Sequence, residues 1–178
     1  MFDMTRKIRS NSDLTEYEVG RARERAKSAG VKTGRLLGNG CTRLVFVDGS
    51  DPSQVVKVPR YTAEENEDEF KVWRRTEQRP DLRRWMVPCV AIKGGVLIQK
   101  RARPLTRKRE FKLVIPNFFQ DVEGFNISLY DGEIRIHDYA YVAWDRLENP
   151  LPKTYVFWYL NGKIEKRLSF VAAGYPEC

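Results

Sequence analysis

Hard oxygen donors gather around one predicted hairpin. Asp121 and Asn126 precede its turn and Asp138 follows it, so two carboxylates and an amide oxygen stand where the chain enters and leaves a short ribbon. Such donors suit Mg²⁺ carrying a phosphate-bearing substrate; a plain surface hairpin with acidic ends has the same pattern. A second group lies in the first third of the chain. Gly38-Asn39-Gly40-Cys-Thr-Arg43-Leu-Val45 is rich in glycine, and Lys57 sits between Val56 and Val58. Glycines can leave backbone N–H groups open to phosphate, and a lysine steadied by a carboxylate supplies a fixed positive charge. A tight turn that merely needs glycine also explains the first feature. For the second, alternation points Lys57 away from both valines. It is an ordinary solvated residue if they pack inward, and a phosphate ligand if it faces a cleft. Its candidate partner is Glu69, with Glu65 one helical turn earlier.

These residues need particular elements to position them. Asp131-Gly132 between alternating apolar positions predicts a two-residue hairpin turn with both central residues at positive φ. That turn pairs Leu129 with Ile134 and Ile127 with Ile136, placing four aliphatic side chains on one face. It also sets Asn126 opposite His137, beside Asp138. From Thr33 to Val58 the chain reads as three strands of an antiparallel meander. The glycine-rich segment lies between the first two, which disfavours a dinucleotide site, whose fingerprint needs a helix next. A charged helix over about 62–77 follows, with Phe70 and Trp73 inward and Pro80 as its end. Residues 86–92 and 95–99 read as two more strands around Lys93-Gly94. Ahead of the meander, Thr15-x-x-Glu18 is a capping box for a surface helix that packs by a narrow stripe and stops at Gly30. Residues 1–11 read as a basic arm.

Beyond the fifth strand, Lys100 to Arg109 is basic and broken by Pro104, and reads as a connector. Residues 110–120 suggest a short helix that Pro116 makes irregular. Residues 154–160 and 163–170 suggest a second hairpin around Asn161-Gly162, whose aromatic run 155–159 fits a buried strand or a base-stacking surface. A chain of 178 residues, 42% hydrophobic, can build one core or two small lobes around a cleft, but not two large domains. No apolar run approaches the roughly 20 residues that span a bilayer. Three cysteines without metal-ligand spacing and a single His point to a reduced, cytoplasmic protein without a zinc site. A net charge of +8 suits nucleic acid, an acidic protein or nucleotide phosphates, and does not choose among them.

Taken in order, these segments resemble the protein kinase superfamily. Gly38, Gly40 and Val45 match G-x-G-x-x-G-x-V, with Arg43 at the third glycine. Gln54-Val-Val-Lys57 resembles V-A-I-K, and Asn66-x-x-Glu69 sits in the helix that supplies the paired Glu. Val96-Leu-Ile-Gln99 resembles the strand leading to the hinge. Asp121-Val-Glu-Gly-Phe-Asn126 has the D-x-x-x-x-N spacing, and Asp138-Tyr-Ala140 resembles D-F-G. The likeness is greatest to the small early protein kinases of podophage-type bacterial viruses, over roughly residues 33–142.

The resemblance implies an α+β fold. Residues 33–99 would form a five-stranded antiparallel N-lobe sheet with one helix, and residues 100–178 a connector and shortened C-lobe, with 1–32 as arm and helix. It implies ATP and Mg²⁺ as cofactors. Gly38, Asn39, Gly40, Val45 and Lys57 would meet the nucleotide, with Lys57 on the α- and β-phosphates and Glu69 as its partner. Asp121 would orient and deprotonate the acceptor hydroxyl, and Asn126 and Asp138 would hold the metal. Phe119 stands where H-R-D has His, Ala140 replaces the last Gly of D-F-G, no A-P-E follows, and only 21 residues separate Gln99 from Asp121. The implied activity is phosphorylation of protein Ser/Thr by a viral protein acting on host proteins in the host cytoplasm, away from membranes. The alternative is a catalytically inactive kinase-like module that binds and inhibits a host protein, or a nucleic acid through its basic surface.

Overall fold

The computed structural model describes the backbone of residues 14–105, 111–160 and 163–167, and the side chains of most residues up to 154. The N-terminal arm, residues 106–110, the Asn161-Gly162 turn, residues 168–170 and the aromatic side chains of 155–159 lie outside the described residues. The fold is α+β, in two compact units. One holds residues 14–70 and 88–101, the other 71–87 and the residues from 102 onward. The N-terminal helix groups with the first sheet, and residues 71–87 with the second unit.

The first unit opens on α1 (Glu16–Ser28), whose capping box is complete: Thr15 Oγ1 accepts from the Glu18 N–H, and the Glu18 carboxylate accepts from the Thr15 N–H. Three strands follow, β1 (Thr33–Asn39), β2 (Arg43–Asp48) and β3 (Gln54–Pro59), then α2 (Glu64–Arg75), whose residues from 71 on belong to the second unit, and β4 (Cys89–Lys93) and β5 (Val96–Lys100). They make one antiparallel five-stranded sheet in the order β1-β2-β3-β5-β4. The β4–β5 turn is Gly94-Gly95, with φ of +50° and +77°, so β5 begins at Val96, one residue later than expected.

Pairing assigns the faces. Val45 lies opposite Lys57 and Lys57 opposite Leu97, while Phe46 lies opposite Val56 and Val56 opposite Ile98. Leu44, Phe46, Val56, Val58 and Ile98 form a core with Ala22, Ala26 and Val31. The narrow alanine stripe of α1 thus covers one sheet face, with the partly buried Val19 and Ala29 at its margins. The other face carries Val55, Lys57, Leu97 and Gln99, all buried.

α2 corrects the sequence expectation. Its buried positions are Asn66, Glu69 and Val72, followed by Thr76 just beyond the helix; Phe70 and Trp73 are only half-buried. The helix ends at Arg75 and not at Pro80, which instead opens the four-residue α3 (Pro80–Arg83) at a position where its missing N–H costs nothing.

The second unit contains α3 and two three-stranded antiparallel sheets. One has the order β6-β8-β9, from β6 (Arg103–Pro104), β8 (Ile127–Tyr130) and β9 (Glu133–Ile136); the other pairs β10 (Pro152–Leu160) with β7 (Phe111–Pro116) and β11 (Lys163–Arg167). Two expectations fail here. Residues 111–116 are a strand and not a helix, because β10 offers a partner from Pro152↔Pro116 to Phe157↔Phe111. Both prolines sit at the ends of that ladder, where lost donors matter least. The basic connector also contains a strand, since Arg103 pairs with Leu129 and Pro104 with Ser128. The β8–β9 hairpin has the expected register, Ile127↔Ile136 and Leu129↔Ile134, around Asp131 (φ +52°) and Gly132 (φ +77°). Ile127 and Ile136 are buried, as are Met86, Phe118, Val122 and Tyr139 of the same unit.

Candidate functional site

In the first unit the polar residues converge on one carboxylate. Lys57 is 3% exposed and Glu69 fully buried. Lys57 Nζ donates to both oxygens of Glu69, at 2.7 and 2.9 Å. Glu69, and not Glu65, is therefore the partner. Alternation alone presents Lys57 to an open face, as in a sheet covered on one side only. Here Val56 and Val58 pack inward under α1, and Lys57 is nevertheless buried, because α2 covers the opposite face.

The carboxylate has further donors. Arg43 Nη1 donates to Glu69 Oε2 at 2.6 Å and to Asn66 Oδ1 at 3.1 Å, and Gln99 Nε2 donates to Glu69 Oε1 at 2.9 Å. Asn66 Nδ2 in turn donates to the carbonyls of Lys57 and Gly95, each at 2.8 Å. Arg43 was missed in the sequence because the kinase pattern made it an absent glycine. A signal existed: in the meander Arg43 lies two residues from Val45, which pairs with Lys57, so both cations share a sheet face and need an anion there.

The glycine-rich segment is a tight connection, with the Gly40 N–H donating to the Arg43 carbonyl at 2.9 Å. Neither Gly38 nor Gly40 has positive φ. A Cβ at Gly40 would stand 3.2 Å from the Arg43 oxygen, so close approach explains that glycine. A Cβ at Gly38 would meet only Val45 carbons at 3.8 and 3.9 Å, ordinary contacts. The hairpin therefore needs Gly40 but not Gly38. Arg60 holds this segment from outside: its Nη1 donates to Asn39 Oδ1 at 2.9 Å and to the Gly40 carbonyl at 3.2 Å, while its Nη2 pairs with Glu18. Bonds from Thr15 and the Arg60 guanidinium hold the Glu18 carboxyl at about 2, well below its ordinary 4.5.

In the second unit the hairpin positions a separate polar group. Asn126 Nδ2 donates to Asp121 Oδ2 and to the Asp121 carbonyl, both at 3.1 Å, which directs the amide oxygen of Asn126 the other way. The His137 N–H donates to the Asn126 carbonyl at 2.9 Å, so Asp138 follows directly on the residue facing Asn126. Tyr139, buried, anchors the next position through its hydroxyl to the Val87 carbonyl at 2.8 Å. The segment before Asp121 is pinned alongside residues 141–143, by the Gln120 N–H to Tyr141 and the Ala143 N–H to Phe118. Phe119 is buried and packs edge-on against Phe118. His137 Nδ1 lies 3.1 Å from Ser128 Oγ, a strand contact and not a base poised in solvent.

Among the described residues no cluster of three or more His, Cys, Asp or Glu forms a metal site, and no helix is long and apolar enough to cross a membrane. Asn126 with one aspartate is a smaller donor set, of the kind Mg²⁺ completes with substrate phosphate and water. No protein-family model matches the chain, and no curated protein is significantly similar to it. The class that fold and residues define is an α+β protein with a buried Lys–Glu pair facing one side of an antiparallel sheet.

Proposed function

We propose that the chain is a reduced kinase-like protein that transfers the γ-phosphoryl group of ATP to Ser or Thr hydroxyls of a host protein. The observation that carries this reading is the Lys57–Glu69 pair. A lysine is costly to bury, and one bonded to both oxygens of a helix carboxylate is a fixed, dry positive charge suited to phosphate oxygens. Gly38, which the hairpin does not require, supports it as a place where nucleotide could approach backbone. In the first unit Lys57 would hold the α- and β-phosphates beneath Gly38, Asn39, Gly40 and Val45. In the second, Asp121 would accept the acceptor hydroxyl's proton as its oxygen bonds to phosphorus and ADP departs. Mg²⁺, held by Asn126 and Asp138, would neutralise charge on the phosphate oxygens. The Asn126–Asp121 bond would keep the base oriented and turn the amide oxygen towards the metal.

The test is incubation of the full chain with γ-labelled ATP, Mg²⁺ and host extract, beside Asp121→Asn. Label on protein that falls by roughly 10²–10⁴ in the variant supports the reading, that being the usual worth of a positioned base. Equal labelling by both chains would end it.

The second reading, a kinase-like binding module without turnover, is favoured by the second unit's architecture. Where a substrate platform would be helical, the described residues give two small sheets, and buried Phe119 stands at the His position. It predicts retention of a host protein or nucleic acid without label transfer. For duplex DNA, binding should weaken by about 0.9 log unit per neutralised phosphate for each log unit of salt.

A further inference from the structure

The residue at the third-glycine position is not a lost glycine but a gained anchor. Arg43 grips two residues of α2 that lie one turn apart on the same face, Asn66 and Glu69. Asn66 is fully committed: its Oδ1 accepts from Arg43, and its Nδ2 ties the backbone of β3 and of the β4–β5 turn. That turn is itself seated on the start of α2, since a Cβ on Gly95 would come within 2.6 Å of Ala63 Cβ. The carbonyl of Arg43 meanwhile closes the glycine-rich connection through the Gly40 N–H. One residue thus joins the loop, the sheet and α2.

We propose that Arg43 is the positioning residue of the Lys57–Glu69 pair: Arg43, more than Lys57, fastens the first half of α2 to the sheet, so the pair stands assembled before any ligand arrives. The asymmetry is chemical. Without the Lys57 ammonium, Glu69 still accepts from Arg43 and Gln99, and the Asn66 bonds are untouched. Without the Arg43 guanidinium, the buried Asn66 Oδ1 loses its only donor among the described residues, and Glu69 loses its shortest bond. A planar guanidinium can serve two acceptors at fixed angles, which a lysine at the same place cannot reproduce. The functional meaning rests on the proposed nucleotide role of Lys57; the test does not.

The experiment is amide hydrogen exchange across residues 64–70 of the ligand-free full chain, comparing wild type with Lys57→Met, Arg43→Met and Arg43→Lys. The expected exchange is faster than wild type for Lys57→Met, in step with its loss of stability, faster again by about tenfold or more for Arg43→Met, and intermediate between the two for Arg43→Lys. Arg43→Met at the wild-type rate, or Lys57→Met as fast as Arg43→Met, overturns the proposal. If Arg43→Met does not fold, Arg43→Lys against Lys57→Met decides it by the same order. Adding Mg·ATP separates the two claims. No binding to wild type, with the expected exchange order intact, removes the nucleotide reading and leaves the positioning role standing. Binding that slows wild-type exchange over 64–70 about tenfold would mean α2 is assembled by ligand, and the proposal falls.

Discussion

Glu69→Gln should be among the most destabilising single changes in the first unit. The carboxylate is fully buried and accepts from Lys57, Arg43 and Gln99. Replacing it with an amide leaves two buried cations facing a neutral group that offers one acceptor oxygen in place of two. Breaking a buried ion pair by removing one partner costs about 3–5 kcal/mol, a large share of the roughly 5–15 kcal/mol that holds a domain together. Lys57→Met should cost less, about 1.5–3 kcal/mol, the worth of hydrogen bonds to a charged group, because Arg43 and Gln99 still satisfy the carboxylate. With a urea slope of about 2 kcal/mol per molar, the two variants should shift the midpoint by roughly 2 M and 1 M. All four tryptophans lie at or beyond residue 73, in the second unit, so their fluorescence follows the wrong half. Urea titration should therefore be followed by far-ultraviolet circular dichroism, with amide exchange on β3 as the local check. A Glu69→Gln midpoint within about 0.3 M of wild type, or a larger loss for Lys57→Met than for Glu69→Gln, would refute the carboxylate-centred account.

Gly132→Ala should cost about 1–2 kcal/mol in the second unit from backbone strain alone, since φ is +77° and nothing lies within 4 Å of the new Cβ; a urea midpoint equal to wild type would show that the turn does not hold the register. Gly38→Ala should leave stability within about 0.5 kcal/mol of wild type or raise it, while weakening any Mg·ATP binding measured by calorimetry; unchanged affinity would reduce the segment to a plain hairpin. Glu18 has a folded pKa of about 2 against an ordinary 4.5, a depressed value, so its stabilising effect is present above that range and is lost as pH falls through it. Glu18→Gln should accordingly be less stable than wild type near neutrality and converge with it in thermal melts towards pH 2; parallel melting curves at every pH would exclude the Thr15–Glu18–Arg60 contact as the source.

What could be read from the sequence was what neighbouring residues decide. The Asp131-Gly132 turn fixes its own hairpin, and period-two alternation then places Ile127, Leu129, Ile134 and Ile136 without outside help. The capping box at Thr15 and Glu18 is equally local. Strand β7 was not legible, because its partner β10 begins 36 residues after β7 ends, and a short apolar run with a proline fits either element until that partner is known. The inner face of α2 was misassigned for a different reason. Asn66 and Glu69 look like solvent residues by composition, and only the cations on the opposing strands make their burial favourable.

Lys57 shows why the site was harder to read than the fold. Alternation correctly separated it from Val56 and Val58, but which face was covered depended on helices distant in sequence. α1, a surface helix packing by its narrow stripe, supplies the lid for the valines, and α2 supplies the carboxylate for the lysine. A strand sealed on both faces must bury any charge it carries, and a buried charge needs an opposite one within bonding distance. Once two helices cover one sheet, Arg43, Lys57 and Glu69 become a single requirement. Of the three, Arg43 is the residue whose type no glycine-loop pattern would have predicted.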